Sequence, residues 1–245
     1  MRKTDIINGL AARHGFTSYL EICTPTTGNR YGEIDRRQFT SRSRLMYRWC
    51  AEACDGYRID YPIEGEAIEG ALSDLRRRGQ LYDVILVDPW HGYESSLRDM
   101  RSALTMLKED GVLVVHDCSP PSLHHASPSY ILGGWCGLTY AAMIDFVAAE
   151  PGLDLYTVDA DFGCAIIRRR SAVQATGASM RPDPAAMTGW RAVGSDFVER
   201  YRYFDNRRAD LLNLLTIGEF LDREGLPPPK QVRQSLWRQV KNICS

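Results

Sequence analysis

The sequence predicts an α/β fold with a mostly parallel sheet, and three neighbouring segments carry that prediction. Two nearly continuous apolar segments, Tyr82–Asp88 and Val112–Asp117, are typical of strands that a parallel sheet buries on both faces. Between them, apolar residues from Leu97 to Leu107 recur at the spacing of one face of a helix. A strand, a helix and a strand within 36 residues form the βαβ unit of a parallel sheet.

The elements before this unit follow from the same patterns. Thr4–His14 has apolar residues at helical spacing and ends before Gly15, and Ser18–Cys23 is a short β-prone segment closed by turn residues. Weaker patterns predict a short helix at Tyr31–Ile34, strands at Leu45–Trp49 and Arg58–Tyr61, and a helix at Ala67–Arg77.

The elements after it predict one reversed strand. Leu138–Ala149 is helical in pattern, and the strands Leu153–Val158 and Gly163–Arg169 are separated by only four residues. So short a connection can join only antiparallel strands. The parallel sheet is therefore expected to finish with a reversed strand.

The remaining residues predict a helical extension. Residues 171–189 are rich in Gly, Pro, Ser and Ala and predict a linker or an extended arm. Helices are predicted at Asp196–Tyr203 and Arg207–Arg223, and the last twenty residues carry a local charge of +4. We expect a core over residues 1–170 and a linker with helices over 171–245.

Composition excludes several classes of protein. The chain has 245 residues, 44% of them hydrophobic and 25% charged, which is typical of a globular protein and not of a disordered one. The net charge of −1 provides no overall positive field, so we expect neither a nucleic-acid nor a membrane partner. Asp5, Asn8 and Arg13 interrupt any signal-peptide core, which makes a cytoplasmic location the expectation. The seven cysteines form no CxxC pair, and we expect most of them to be buried and reduced.

Polar residues follow three of the predicted strands. They are Glu21-Ile-Cys23-Thr24 with Gly28 in the next loop, Asp88-Pro-Trp-His91, and His116-Asp117-Cys118. Ligands of open α/β sheets bind at the carboxyl ends of the strands, where the strand order reverses. These three strand ends are therefore the candidate site.

Asp88 and Asp117 are the strongest pair in it. Carboxylates at the ends of adjacent strands, about 5 Å apart, repel each other unless a cation or a shared proton lies between them. Oxygen ligands suit Mg²⁺, and His91 and His116 are candidates for further ligands or for a general base. The structural alternative is that Asp88 caps the next helix and that His116 is a buried histidine with its hydrogen bonds satisfied.

Several segments together carry a resemblance to a known family. They are Tyr19–Cys23, Tyr82–Glu94, Leu97–Asp99 with Leu104 and Leu107, Gly111–Cys118, Leu155–Asp159 and Asp161–Arg168. These segments resemble the class I S-adenosylmethionine-dependent methyltransferases, in particular small bacterial members in which the fourth strand reads VDG.H.Y and the fifth ends in HDC.P. The resemblance implies a Rossmann-like, doubly wound, mostly parallel seven-stranded sheet with a reversed final strand.

The resemblance also implies roles for individual residues. Glu21, Cys23, Thr24 and Gly28 would line the methionine part of S-adenosylmethionine, with Asp88 near the sulfonium. In the similar metal-dependent O-methyltransferases, an Asp on the fourth strand and an Asp-Asn pair on the fifth hold Mg²⁺. The corresponding residues here are Asp88 and Asp117-Cys118, so a thiol stands where those enzymes have an amide.

Two further departures leave an alternative open. The first loop has no GxG, and no acidic residue ends the predicted strand at Leu45–Trp49.

The expected function is O-methylation of a small molecule such as a natural-product or sugar-like hydroxyl. Whether a divalent metal assists the reaction is left open at this point. Catalytic candidates are Asp88, His91 and His116. The alternative is an inactive methyltransferase-like binding or assembly module. The C-terminal helices are expected to form a homo-oligomer.

Overall fold

An eight-stranded sheet forms the centre of the protein. In the computed structural model, which describes residues 1–23, 30–47, 61–63, 68–88, 90–170 and 180–228, the strands occur in the spatial order β3-β2-β1-β4-β5-β7-β6-β8. They are β1 (Ser18–Cys23), β2 (Ser41–Tyr47), β3 (Tyr61–Ile63), β4 (Tyr82–Asp88), β5 (Leu107–Val115), β6 (Leu153–Val158), β7 (Cys164–Arg169) and β8 (Leu214–Leu215).

Strand direction confirms the predicted topology. Strands β1 to β5 pair parallel, whereas β7 pairs antiparallel with both β5 and β6. The order reverses at β1, since the chain runs outward to β3 and then returns to β4 on the other side of β1. Strand β8 is an addition to the predicted seven, a two-residue strand parallel to β6 at the edge of the sheet.

Helices cover both faces of the sheet. They are α1 (Lys3–His14), α2 (Ile68–Arg77), α3 (Tyr93–Met106), α4 (Thr139–Ala149), α5 (Pro184–Ala192), α6 (Phe197–Asn206), α7 (Arg208–Leu212) and α8 (Ile217–Glu224), with a 3₁₀ turn at Tyr31–Glu33. Alternate residues of the central strands enter two separate cores. Leu20 and Ile85 pack with α2 to α7, whereas Tyr19 and Val84 pack with α1 and α8.

Two predictions for the C-terminal part were wrong. Helix α5 begins inside the predicted linker, where Asp183 accepts a hydrogen bond from the Ala186 N–H as the N-cap and Pro184 occupies the first turn. The single helix predicted at Arg207–Arg223 is broken at Asn213, which has a φ of +44°. The Asn213 side chain donates to the carbonyl of Leu155, and this contact allows the next residues to pair with β6.

Asp145 of α4 joins the later helices to the helices that cover one face of the sheet. Its carboxylate accepts hydrogen bonds from Trp190 of α5, Arg200 of α6 and Tyr93 of α3, each at 2.7 Å. Trp190, Phe204 and Leu211 are buried in the same core as the central strands. The division of the chain at residue 170 stays a prediction, but residues 180–228 pack directly on the predicted core.

Two expectations drawn from composition, on membrane association and on the cysteines, can be compared with the described residues. None of the helices there combines the length and the apolar character that crossing a membrane requires. Cys23, Cys118, Cys136 and Cys164 are buried free thiols, as predicted. Cys50, Cys54 and Cys244 lie outside the described residues.

Candidate functional site

The sheet register brings the predicted strand ends together. Cys23 at the end of β1 is paired with Asp88 at the end of β4, and the His116 N–H donates to the carbonyl of Val87 at 3.1 Å. Asp117 follows with a φ of +60°, a left-handed conformation in which a short polar side chain is tolerated. The three strand ends singled out in the sequence therefore meet at the carboxyl edge of the sheet.

His116 lies between the two carboxylates. Its Nδ1 is 3.2 Å from Oδ1 of Asp88 and 3.0 Å from Oδ2 of Asp117, and all three residues are buried. Its Nε2 is 3.4 Å from Oδ2 of Asp161, an ion pair without hydrogen-bond geometry. The predicted proximity of Asp88 and Asp117 is confirmed. The cation expected between them is provided by the side chain of His116, whose imidazolium form these two carboxylates favour.

His91 completes the cluster from the loop after β4. Its Nε2 is 3.2 Å from Oδ2 of Asp117, and its Nδ1 is 2.5 Å from the carbonyl oxygen of Trp135. Both ring nitrogens therefore face acceptors, which favours the doubly protonated imidazolium. Gly92, and not Asp88, is the N-cap residue of α3, so the helix-capping role considered for Asp88 is not what the structure has.

Lys3 is a member of this cluster that sequence patterns did not identify. It begins α1, and its Nζ is 2.7 Å from Oδ2 of Asp88, with both side chains buried. Its backbone N–H donates to Oδ2 of Asp161 at 2.8 Å. Helical periodicity placed α1 correctly, but Lys3 precedes Ile6, the first apolar residue of the helix, and carries no motif. Asp161 was placed in the connection between β6 and β7 and in a segment of the family resemblance, but not in the site.

The cluster stabilises its own charges. Burial disfavours the charged form of each group, but the neighbouring charges outweigh that cost. The Lys3 ammonium and His116 hold the pKa of Asp88 well below its usual range, and Asp88 raises the pKa of Lys3. Asp117 and Asp88 raise the pKa values of His91 and His116. As arranged, both histidines favour the cationic form, and since the ring nitrogens of His91 already face protein acceptors, His91 would act on a ligand through its charge. To act as a base, either would first have to release its own proton.

The end of β1 is also charge-balanced. The Arg44 Nε, on β2, is 3.2 Å from Oε1 of Glu21 and donates to Sγ of Cys23 at 3.3 Å. Tyr19 donates to the other Glu21 oxygen at 2.8 Å. Glu21 and Cys23 thus lie at the predicted strand end, and Arg44 is a partner that the sequence did not indicate. Thr24 and Gly28, which the resemblance assigned to the same site, lie outside the described residues.

A cavity of about 540 Å³ opens onto the charged cluster. Its floor includes Lys3, Asp88, His91, His116, Asp117 and Asp161, and its wall is the segment Tyr130–Trp135 with Phe162. Trp90 stacks on Tyr130 with ring centroids 5.9 Å apart and meets Trp135 edge-on at 4.7 Å. Tyr130 and Leu132 are exposed at the rim. A ligand here would meet charged groups at one end and aromatic surface at the other.

The described residues do not fit a Mg²⁺ ion. Mg²⁺ takes six oxygen ligands in a tight octahedron. Asp88 already accepts from Lys3 on one oxygen and faces His116 with the other, and Oδ2 of Asp117 faces both histidines. The thiol of Cys118 is directed to backbone carbonyls. A divalent ion would have to displace an ammonium that Asp88 holds at 2.7 Å.

Comparisons with known proteins point the same way as the fold. Residues 11–118, less than half of the chain, match the family model described as "Methyltransferase domain". No curated protein matches the chain.

Solved structures with similar folds are distant from this chain. Cofactor-bound Rv0187 from MTB is 18% identical to this chain, with a TM-score of 0.49, and the match covers 69% of this chain and 80% of the Rv0187 chain. The O-methyltransferase from Bacillus cereus in complex with SAH has 13% identity and a TM-score of 0.47, covering 68% and 80%. The O-methyltransferase TomG from Streptomyces achromogenes, in complex with SAM, has 15% identity and a TM-score of 0.47, covering 69% and 80%.

The sheet order carries the structural conclusion. Parallel strands that end in the reversed β7, inserted between β5 and β6, separate this fold from that of a dehydrogenase domain. The chain therefore has the α/β fold of class I methyltransferases, its residues 11–118 correspond to a methyltransferase domain, and fold and match together support an S-adenosylmethionine-dependent methyltransferase.

Proposed function

We propose that the protein transfers the methyl group of S-adenosylmethionine to a hydroxyl of a small molecule. The observation that supports this proposal is the cavity at the carboxyl ends of β4 and β5, with His91 and Asp88 on its floor and aromatic rings along its wall. Methyl transfer requires an in-line arrangement of oxygen, methyl carbon and sulfur, so positioning provides much of the catalysis.

The cofactor would occupy the ends of β1 and β4. Glu21, Cys23 and Asp88 are the described residues there, and Thr24 and Gly28 are the proposed contacts in the following loop. The aromatic wall suits an acceptor with a flat apolar part, which would lie against Tyr130 and Trp135 while its hydroxyl faces His91. The charge of the His91 imidazolium would lower the pKa of the acceptor hydroxyl, so that its proton is lost to water. The resulting oxyanion would then take the methyl group from the sulfonium, and S-adenosylhomocysteine would leave.

The first experiment is calorimetric titration of the protein with S-adenosylhomocysteine. We expect saturable binding, because the product has the same adenosine and homocysteine parts as the cofactor. Absence of binding at concentrations approaching a millimolar would contradict the proposal and favour the alternative, a binding or assembly module that no longer catalyses.

The second experiment separates catalysis from scaffolding. We expect His91→Gln to lower methyl transfer to a panel of hydroxylated acceptors by about tenfold or more, since the acceptor hydroxyl then loses the neighbouring cation that lowers its pKa. His124→Gln is the matched control, because His124 is an exposed histidine of the neighbouring loop. Equal rates in both variants would contradict the role of His91.

Two further expectations remain proposals. The helices after residue 180 would mediate a homo-oligomer, and the protein would act in the cytoplasm on a small-molecule acceptor, without a nucleic-acid or membrane partner.

A further inference from the structure

Lys3 occupies the place of a cation beside Asp88. The distance from Nζ to Oδ2 is 2.7 Å, and the side chains are 8% and 10% exposed. Burying an ammonium and a carboxylate is costly unless the two are well paired. The described part of the chain has another close lysine–aspartate pair, Lys108–Asp83 at 2.9 Å, but there the lysine is 43% exposed. The Lys3–Asp88 pair is thus deeply buried, and it faces the cavity.

The acidic groups of the cluster are balanced by side chains alone. Asp88, Asp117 and Asp161 contribute three negative charges, and Lys3, His91 and His116 contribute the facing cationic groups. Lys3 binds two of the three acids, since its ammonium meets Asp88 and its backbone N–H meets Asp161. A divalent ion added to this arrangement would place excess positive charge in a buried site and would break the Lys3–Asp88 pair.

We propose that the Lys3 ammonium takes the position of a divalent metal at Asp88, so that the site works without a metal ion and α1 is part of it. This inference rests on the proposed methyl transfer for its catalytic meaning, but the metal exclusion can be measured separately. Lys3 is a positioning residue here: it fixes the Asp88 carboxylate and keeps the cluster closed to divalent ions.

The test is calorimetric titration with Mn²⁺ of chelator-treated wild type and of three variants. Lys3→Met removes the ammonium but keeps a similar side-chain length, Lys3→Arg retains a cation, and Lys108→Met removes the lysine of the exposed pair. We expect no saturable binding to wild type, Lys3→Arg or Lys108→Met. Lys3→Met should bind Mn²⁺ saturably, with a Kd about tenfold or more below the highest Mn²⁺ concentration at which wild type shows no binding, because Asp88, Asp117 and Asp161 then lack one counter-charge.

Two results would overturn the inference. One is saturable Mn²⁺ binding to wild type that Asp88→Asn abolishes. The other is failure of Lys3→Met, folded by circular dichroism, to bind Mn²⁺ at all, because Lys3 would then not be what excludes the ion.

A wild-type measurement keeps the test decisive if Lys3→Met does not fold. The ¹⁵N-labelled protein should show one protected lysine ammonium resonance that Lys3→Arg lacks and that added Mn²⁺ does not broaden. Broadening of this resonance would contradict the inference. S-adenosylhomocysteine titration is independent of these readouts, so failure to bind it would count against the proposed function and leave the metal exclusion standing.

Discussion

Gly137 shows how a single residue positions a side chain of the site. Its φ is +57°, and its N–H and the N–H of Cys136 both donate to the carbonyl of His125. A Cβ at Gly137 would collide with the carbonyl oxygen of His91 and lie 2.6 Å from its Cβ. The His91 side chain is paired with Asp117, so a shift of His91 away from the new Cβ would disturb that ion pair.

We therefore predict that Gly137→Ala displaces His91. The left-handed conformation should cost about 1–2 kcal/mol of the free energy of unfolding. The collision adds on the order of 1–3 kcal/mol. Methyl transfer should fall by about tenfold to a hundredfold, since small misplacements of site groups cost that much. Urea unfolding and initial rates measure the two effects.

Gly79→Ala is the matched control for this variant. Gly79 has a φ of +66°, and no atom lies within 4 Å of the position that a Cβ would take, so only the conformational cost applies. If Gly79→Ala and Gly137→Ala are equally destabilised and equally active, the contact with His91 does not matter.

At the scale of elements, Asp83 joins the starts of three neighbouring strands, β1, β4 and β5. It lies on β4, and its Oδ2 accepts hydrogen bonds from the Thr17 N–H at 2.9 Å, the Ser18 N–H at 2.8 Å and the Ser18 hydroxyl at 2.7 Å. Its Oδ1 is 2.9 Å from the ammonium of Lys108 on β5. Partial burial alone would raise the pKa of Asp83, but the Lys108 and backbone hydrogen bonds outweigh it and lower the pKa to about 2.

This shift predicts part of the acid sensitivity of the protein. Because the folded-state pKa lies below the unfolded value of 3.8, Asp83 stabilises the fold above about pH 4 and loses that contribution as the pH falls toward 2. Asp83→Asn should lower the free energy of unfolding at neutral pH by about 1–2 kcal/mol and flatten its decline in this window. Unfolding in urea between neutral pH and pH 2 measures both quantities.

Asp110→Asn serves as the control, since Asp110 is an exposed carboxylate at the same end of the sheet. If the free energy of unfolding falls as steeply with decreasing pH in Asp83→Asn as in wild type, other carboxylates dominate the pH dependence.

At the scale of the whole molecule, the last described helix belongs to the core of the sheet. Phe220 of α8 is fully buried in the same cluster as residues of α1 and of the central strands. Glu224 accepts from the Tyr156 hydroxyl at 2.6 Å and pairs with Arg168, both on the β6–β7 hairpin. The N-terminal and C-terminal helices therefore pack on one face and depend on each other.

We predict that Phe220→Ala destabilises the protein as one unit. The loss of a buried phenylalanine should lower the free energy of unfolding by about 3–5 kcal/mol. Circular dichroism and tryptophan fluorescence should shift to the same lower midpoint. Leu81→Ala, at a half-exposed position, should shift it little. If the two probes instead reported separate unfolding transitions, residues 171–245 would unfold independently of the rest of the chain.

The sequence by itself determined most of the sheet and part of the site. Apolar runs and helical spacing located β1, β4 and the helix between β4 and β5, because burial on a regular backbone imposes a period on the chain. Asp88 and His116 were found because parallel strands end at one edge, which makes strand-end residues neighbours whatever lies between them in the chain.

Only the tertiary structure decided how those residues are paired. Lys3 lies 85 positions from Asp88, and Arg44 reaches Glu21 and Cys23 from a neighbouring strand. The spacing of apolar residues within a helix or strand does not reveal such contacts, because they depend on how that element packs against the rest of the protein. The sequence thus predicted a charged site needing a counter-cation. His116 provides one such cation between Asp88 and Asp117, and docking of α1 supplied a second, because the Lys3 ammonium and the Asp88 carboxylate are buried together.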